Sequence, residues 1–394
     1  MAGGPALFER NLALAEAGDP AAQLNLGNMF RLGYQVRRDP GQAAKWLALA
    51  AGNGVAEAAE LLRQMGIEPP PPAQPEPAAE PDSLYGAPPP PDPAALRRAA
   101  EDGLAAAQVA LGNALREGAG MAADPAEAVR WYRRAAEQGD ADGQYALAVM
   151  YDRGLGVPQD LAEAKAWYHK AAQQGDSAAQ FNLGNMIRQG RGGTPNPEVA
   201  SRWFRKAAAQ GEAAALFALG TMCETGSGMP RDEAQAVENY RRAAERGDAD
   251  AQYNLANMLR QGRGCEADPA ESVSLYYRAA RQGVVPAQLN YALMLAAGWG
   301  GPCDPAAAAH WMRRAAAAGD ARARYLLGVM LAEGRGVPAD GVEAHAWLSL
   351  AAASGVAEVE RVAAPALAAV AARLDSAGLA AAERRRQECA GGRP

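Results

Sequence analysis

A glycine that returns every 36 residues limits the folds open to this chain more than any other feature. Gly103, Gly139, Gly175, Gly211, Gly247, Gly283, Gly319 and Gly355 keep this phase without a slip, and Gly18 and Gly54 are also 36 apart. A fixed period of this length marks stacked supersecondary units, none of which buries its apolar face alone. The step from Gly54 to Gly103 is 49 residues, one period plus 13. The excess falls in the tract IEPPPPAQPEPAAEPDSLYGAPPPPDP, which holds 12 of the chain's 27 prolines. The chain therefore reads as nine units counted from Gly18, the second interrupted, with a helix before them and a tail after.

Each unit divides into two segments. The first reads AQLNLGNMFRLG, AQFNLGNMIRQG and AQYNLANMLRQG in three units. Ala179, Leu183, Met186 and Gly190 are spaced by four, three and four, one face of an α-helix. Met29, Met65, Met150, Met222, Met258, Met294 and Met330 share the column of Met186. Methionine there reads as a filler of gaps between packed helices rather than as a sulfur-lined groove. The second segment, as in DPAEAVRWYRRAAEQGD, announces its start chemically. Asp39, Asp124, Asp160, Asp232, Asp268, Asp304 and Asp340, with Asn196, occupy the N-cap column. Pro40, Pro125, Pro197, Pro269 and Pro305 follow at the first helical position. The phased glycine ends the segment, placed for a left-handed cap. These aspartates are a whole repeat apart, so they are caps and not a carboxylate array.

Paired glycines such as Gly118/Gly120, Gly154/Gly156 and Gly190/Gly192 join the segments. Without a preceding strand or a following Lys-Ser/Thr they are turns rather than phosphate loops. Trp131, Trp167, Trp203, Trp311 and Trp347, next to Tyr132, Tyr168 or Phe204, face small pairs such as Ala135 and Ala136, which lets neighbours stack closely. That column weakens to Asn239 and Leu275.

The pattern A-Q-x-N-L-G-x-M, then G-x-G-V, then D-x-x-E-A-x-x-W-Y-x-x-A-A-x-x-G resembles the Sel1-like repeat, a relative of tetratricopeptide repeats. The resemblance covers about 19–66 and 93–355, and DADGQYALAVMYDRGLGVPQDLAEAKAWYHKAAQQG carries it in full. It implies an all-α fold, a right-handed superhelical solenoid of stacked antiparallel helix hairpins, working as a scaffold or adaptor for proteins or peptides. The expected organisation is an N-terminal helix, repeat one and the first helix of repeat two at 1–66. A proline-rich insertion follows at 67–92, read as polyproline II or disordered, either a spacer or a docking ligand. The rest of repeat two and seven more repeats occupy 93–355, and capping helices with a tail occupy 356–394.

The candidate site is a polar face on the first helices, where residues three apart are neighbours. It holds Asn25, Asn28 and Arg31; Asn182, Asn185 and Arg188; and Asn254, Asn257 and Arg260. Parts of it recur as Asn113 with Arg116, and as Asn290. An asparagine amide both donates and accepts, which suits a peptide backbone, and arginine offers a planar fork for carboxylates. The other reading of the asparagines is a bridge between adjacent repeats. Tyr145, Phe181, Phe217, Tyr253 and Tyr325 are expected to pack between repeats. Arg98, Arg134, Lys170, Lys206, Arg242, Arg278 and Arg314 fall in last turns, where cations complement the helix dipole.

With 39 basic against 45 acidic residues and a net charge of −6, the chain is not expected to bind nucleic acid. No apolar run approaches the roughly 18 residues of a membrane span. The start, MAGGPALFERNLALAEAGD, lacks a basic stretch before an apolar core, so a cytoplasmic location is expected. The alternative is an exported regulator of envelope proteins or glycans. A β-lactamase-like hydrolase, the label of some cysteine-rich relatives, is less favoured. No serine has lysine three residues on, and Cys223, Cys265, Cys303 and Cys389 form no CxxC pair. His169, His310 and His345 show no metal-binding spacing. The expectation is a non-enzyme without metal or cofactor.

Overall fold

The computed structural model describes residues 8, 11–12, 14–16, 18–33, 36–70 and 93–390. Most of the proline-rich insertion, 71–92, lies outside them. The described residues form helices and turns, with no strand among them. Repeat one and the start of repeat two give α1 (Pro20–Leu32), α2 (Pro40–Gly52) and α3 (Ala56–Gln64). Next come α4 (Pro93–Glu101), α5 (Ala105–Glu117), α6 (Pro125–Glu137), α7 (Ala141–Arg153) and α8 (Leu161–Gln173). Then follow α9 (Ser177–Gln189), α10 (Pro197–Ala209), α11 (Ala213–Thr225) and α12 (Glu233–Glu245). The remaining repeats supply α13 (Ala249–Gln261), α14 (Pro269–Arg281), α15 (Val285–Ala297), α16 (Pro305–Ala317), α17 (Ala321–Glu333) and α18 (Gly341–Ala352). The chain ends in α19 (Ala357–Ala371) and α20 (Ser376–Ala390).

These helices fall into two units. A central unit spans Pro77–Asp248, and a terminal unit combines Met1–Glu76 with Ala249–Pro394. Within each, first and second helices pair as hairpins that pack on the next hairpin, the all-α stacking of a helical solenoid. In the terminal unit α19 and α20 both lie against α18, and α1 of repeat one packs on α14.

The capping columns set the helix ends. Asp124 Oδ1 accepts from the Glu127 N–H at 2.8 Å, a bond that stabilises a helix start by about 1 kcal/mol. The Asp124 N–H donates in turn to the Leu115 carbonyl at 2.8 Å, closing the hairpin loop. Asp160 with Tyr151 and Asp232 with Cys223 repeat that closure. The paired glycines have separate jobs. Gly154 ends α7 in the left-handed conformation, φ +69°. Gly156 is also left-handed, and a Cβ there would lie 2.3 Å from the Pro125 carbonyl of the preceding repeat. The second glycine is thus a stacking residue as well as a turn residue.

The same logic explains the glycine inside the first helix. A Cβ on Gly112 would meet the Tyr132 ring at 2.5 Å, and one on Gly220 would meet Tyr240 at 2.6 Å. The rings of Tyr132, Phe204 and Tyr240 are fully buried against these gaps. The aromatic column on the first helix joins this packing, with a correction to the expectation. Tyr145 sits 5.9 Å from Tyr168, Phe181 5.8 Å from Phe204, and Phe217 5.8 Å from Tyr240. Each ring pair lies within one hairpin, so the ring contacts close repeats, and it is the Tyr145 hydroxyl that reaches the next repeat, through Asn182.

A buried glutamine does the joining. Gln108 donates to the Ala100 carbonyl of the preceding second helix at 3.0 Å and accepts from Gln138 at 2.7 Å. Gln144 with Ala136 and Gln174, and Gln180 with Ala172 and Gln210, repeat the arrangement. A buried amide is stable only when its groups are paired, so this ladder also fixes how neighbours register.

Candidate functional site

In the central unit the polar face is divided between two roles. Asn113 accepts from the Tyr132 hydroxyl at 2.8 Å. Desolvation pushes that hydroxyl up to about 12, so it remains a neutral donor. The same column has Phe204 opposite Asn185, which leaves Asn185 to accept from Arg188 at 3.3 Å. Asn182 donates to Tyr145 of the preceding repeat at 3.4 Å, the bridge between repeats. Asn182 and Asn185 are half-buried and Arg188 is exposed, whereas Arg116 pairs with its neighbour Glu117.

In the terminal unit, repeats seven and eight connect the face into a network. Asn257 accepts from the Tyr276 hydroxyl at 2.6 Å and from Asn290 at 3.5 Å. Arg260 donates to the same hydroxyl at 3.2 Å and lies 5.9 Å from the centre of the Trp299 ring. Asn254 is half-buried. Trp299 is 44% exposed and was not singled out from the sequence. The signal was present: it is the one tryptophan of seven outside the tryptophan column, set between Gly298 and Gly300.

Repeat one carries the face in a third condition. Asn25 and Asn28 are buried, each 2% exposed. Arg31 donates to Asn28 at 2.9 Å and to Asp304 Oδ2 at 3.3 Å. The other oxygen of Asp304 caps α16 through the Ala307 N–H. Asp19 divides its oxygens in the same way, one capping α1 through Ala22 and one accepting from Ser274 at 2.7 Å. A Cβ on Gly301 would lie 3.7 Å from the Asn25 amide. Glu57 accepts from the Trp311 indole at 3.3 Å. Where a column tryptophan has glutamate four residues earlier, as Trp131 with Glu127 and Trp347 with Glu343, it donates there instead. Trp311 has Ala307 at that position, and α3, at the start of repeat two, supplies the carboxylate.

Beside this contact lies a largely apolar cleft of about 710 Å³, lined among others by Arg31, Glu57, Leu61, Asp304, Pro305 and His310. Burial pushes the Glu57 carboxyl up to about 7; Asp304 adds to the rise, while the Trp311 hydrogen bond and Arg31 oppose it. Burial, with Arg314 and Arg313 nearby, holds His310 below its ordinary value.

The basic column has a partner beyond the helix dipole. Arg134, Lys170, Lys206 and Arg314 lie 4.8, 3.6, 4.4 and 4.7 Å from the ring centres of Trp131, Trp167, Trp203 and Trp311. Among the described residues no three His, Cys, Asp or Glu side chains gather to hold a metal ion, and no helix is long and apolar enough to cross a membrane.

The chain's repeats match the Sel1 repeat at 20–55, 105–140, 141–176, 177–212, 213–248, 249–284, 285–320 and 321–356. The interrupted second unit lies outside these stretches. No curated protein matches the chain. Among solved structures, a Sel1 repeat protein from Oxalobacter formigenes is 31% identical with a TM-score of 0.50, over 57% of this chain and 87% of that one. A protective antigen present in uropathogenic Escherichia coli strains, displaying an SLR fold, is 27% identical with a TM-score of 0.39, over 98% of this chain and 94% of that one. With eight matched units covering well over half its length, the chain belongs to the Sel1 repeat family, whose members are generally protein-interaction adaptors.

Proposed function

We propose that this protein is a non-catalytic adaptor that binds an extended, acidic protein segment on the Asn-Asn-Arg face of its first helices. One observation carries the reading. In repeat one the face is seated on another part of its own chain, with Arg31 on the Asp304 carboxylate and Asn25 against Gly301. The same residue types are half-buried or exposed at Asn182, Asn185 and Arg188 in the central unit. A guanidinium with an adjacent amide supplies a carboxylate and a peptide group with partners at once. Within the terminal unit, Trp299 beside Arg260 offers a separate surface with an exposed ring of the kind that anchors a bound segment.

The test is an array of 12-residue acidic peptides, paired with copies in which Asp and Glu become Asn and Gln. The intact protein should retain acidic peptides, more weakly at high salt. The combined N185A and R188A variant of the central unit should lose at least tenfold in affinity while keeping its helical circular dichroism. Equal retention of acidic and neutralised peptides, or unchanged affinity in the variant, rejects the reading.

A further inference from the structure

We propose that repeat one, together with α3 at the start of repeat two, is a pH-released clasp on repeats seven and eight, which keeps the Asn25-Asn28-Arg31 face covered until Glu57 loses its proton. The covered face matters for binding only through the peptide-face reading above; the clasp itself stands on its own geometry. The occupant is a named part of this chain, the segment from Asp19 through α3. The acceptor is the set Ser274, Gly301, Asp304 and Trp311.

The chemistry of the contact is that of a reversible joint. Its named bonds are polar: Asp19 with Ser274, Arg31 with Asp304, and Glu57 with Trp311. It also leaves buried groups without hydrogen-bond partners, namely Asn25 Nδ2, Glu57 Oε1 and the Tyr291 hydroxyl. A buried polar group without a partner opposes the contact that buries it. In the central unit the ladder glutamines Gln108, Gln144 and Gln180 each have both amide groups paired, so the joint is less favourable than stacking there, although Gln288 Oε1 in the terminal unit is also without a partner.

The charges facing Glu57 decide the direction of the response. Arg31 from α1 favours its ionised form, and Asp304 at the start of α16 opposes it. Tyr277 from α14 and Tyr291 from α15 are pushed up by burial and remain neutral. His310 of α16, held low, is neutral near pH 7. Glu60 and Arg63 on its own helix pair with each other at 2.9 Å. The favourable cation Arg31 is shared with Asp304, so burial dominates and the ionised form is disfavoured.

The sign of the pH dependence follows. An undocked, hydrated Glu57 titrates at its ordinary value of 4.5 and a docked one near 7. Docking is therefore strongest below pH 4.5, weakens as pH rises from 4.5 to 7, and is constant above. Between pH 5 and 8 this linkage lowers the docking equilibrium roughly 70-fold.

Hydrogen exchange on the full chain at pH 5, 6, 7 and 8, corrected for intrinsic rates, tests this without any ligand. Amides of α1 and α3 should lose protection progressively from pH 5 to 7, by tens of fold in total. Amides of α6 should not follow. E57Q should flatten the α1 profile. D304N keeps a capping side chain but removes the ion pair, and should release α1 at least several-fold at every pH while α16 stays protected. A pH-independent α1 in the native chain overturns the clasp. So does an E57Q profile as steep as the native one, which would assign the titration to His310 or another group. If E57Q fails to fold, the native profile and D304N decide the matter: unchanged α1 protection in D304N overturns the proposal. Because no peptide is present, failure here leaves the peptide-array result standing, and failure of the array leaves this one standing.

Discussion

Stacking inside the central unit and the seating of repeat one inside the terminal unit both join helix hairpins, but by different chemistry. In the central unit the contacts come from columns that recur with the period, the glutamine at Gln108, Gln144 and Gln180 but not at Leu216. A Tyr or Phe ring fills the gap over a small residue, a glutamine spans to the previous helix, and a glycine admits the neighbouring carbonyl. Where repeat one and α3 are seated, the contacts use residues already committed elsewhere, such as the second oxygens of Asp19 and Asp304, or a tryptophan without a glutamate four residues earlier. The first kind is repeated selection for one geometry. The second uses what the repeat leaves over, and so can differ from one Sel1 chain to another without disturbing the stack.

The comparison breaks most readily at the ring column. Tyr132 is fully buried, packed in the gap over Gly112 and bonded to Asn113. Tyr132→Ala should destabilise the central unit by about 3–5 kcal/mol, from lost burial and the cavity left behind. Tyr132→Phe copies what Phe204 already does and should cost only about 0.5–1.5 kcal/mol. Urea unfolding followed by circular dichroism reads both. If the two variants lose the same amount, the hydroxyl bond rather than packing holds the column, and the contrast drawn above is wrong.

The ring column also shows how far the sequence could be read. Helix starts and ends were legible because caps and left-handed glycines are local chemistry: Asp124 with Pro125, or Gly154, act on their own few residues. Which neighbour a ring touches was not legible. A column repeating every 36 residues is equally consistent with Tyr145 packing on its own hairpin or on the next, and only the backbone decides. The docking of repeat one was further out of reach. Asp19 and Ser274, or Arg31 and Asp304, are more than 250 positions apart and belong to no shared period. The polar face was visible as a pattern, but its pairing with Tyr132 and Tyr276 was hidden on the partner helix.

The glutamine ladder gives a middle-sized test. In the sequence it is one letter of the A-Q pattern, and its burial is not legible there because glutamine is mostly an exposed residue. Gln180→Ala would leave the Ala172 carbonyl and the Gln210 amide without this partner. The expected loss is about 1–3 kcal/mol, concentrated at the junction of α8 with α9 in hydrogen exchange. Exposure spread evenly over the unit would mean that stacking is held by apolar contact alone.

The smallest effect compares two tryptophans that share a column but not a carboxylate. Lys170 lies over Trp167, whose indole donates to Glu163 of its own helix. Arg314 lies over Trp311, whose indole donates to Glu57 of α3, at the start of repeat two. Both cations are exposed, where such a contact contributes about 0.5–1 kcal/mol. Lys170→Met and Arg314→Met retain a long apolar stem and should each cost no more than that. Equal small losses would mean that the column geometry, not the origin of the carboxylate, sets the position of each indole. A larger loss for Arg314→Met, with α3 amides exchanging faster than α16 amides, would instead tie Trp311 to α3. In that case the cation over the ring would serve the seating of α3 as well as the helix that carries it.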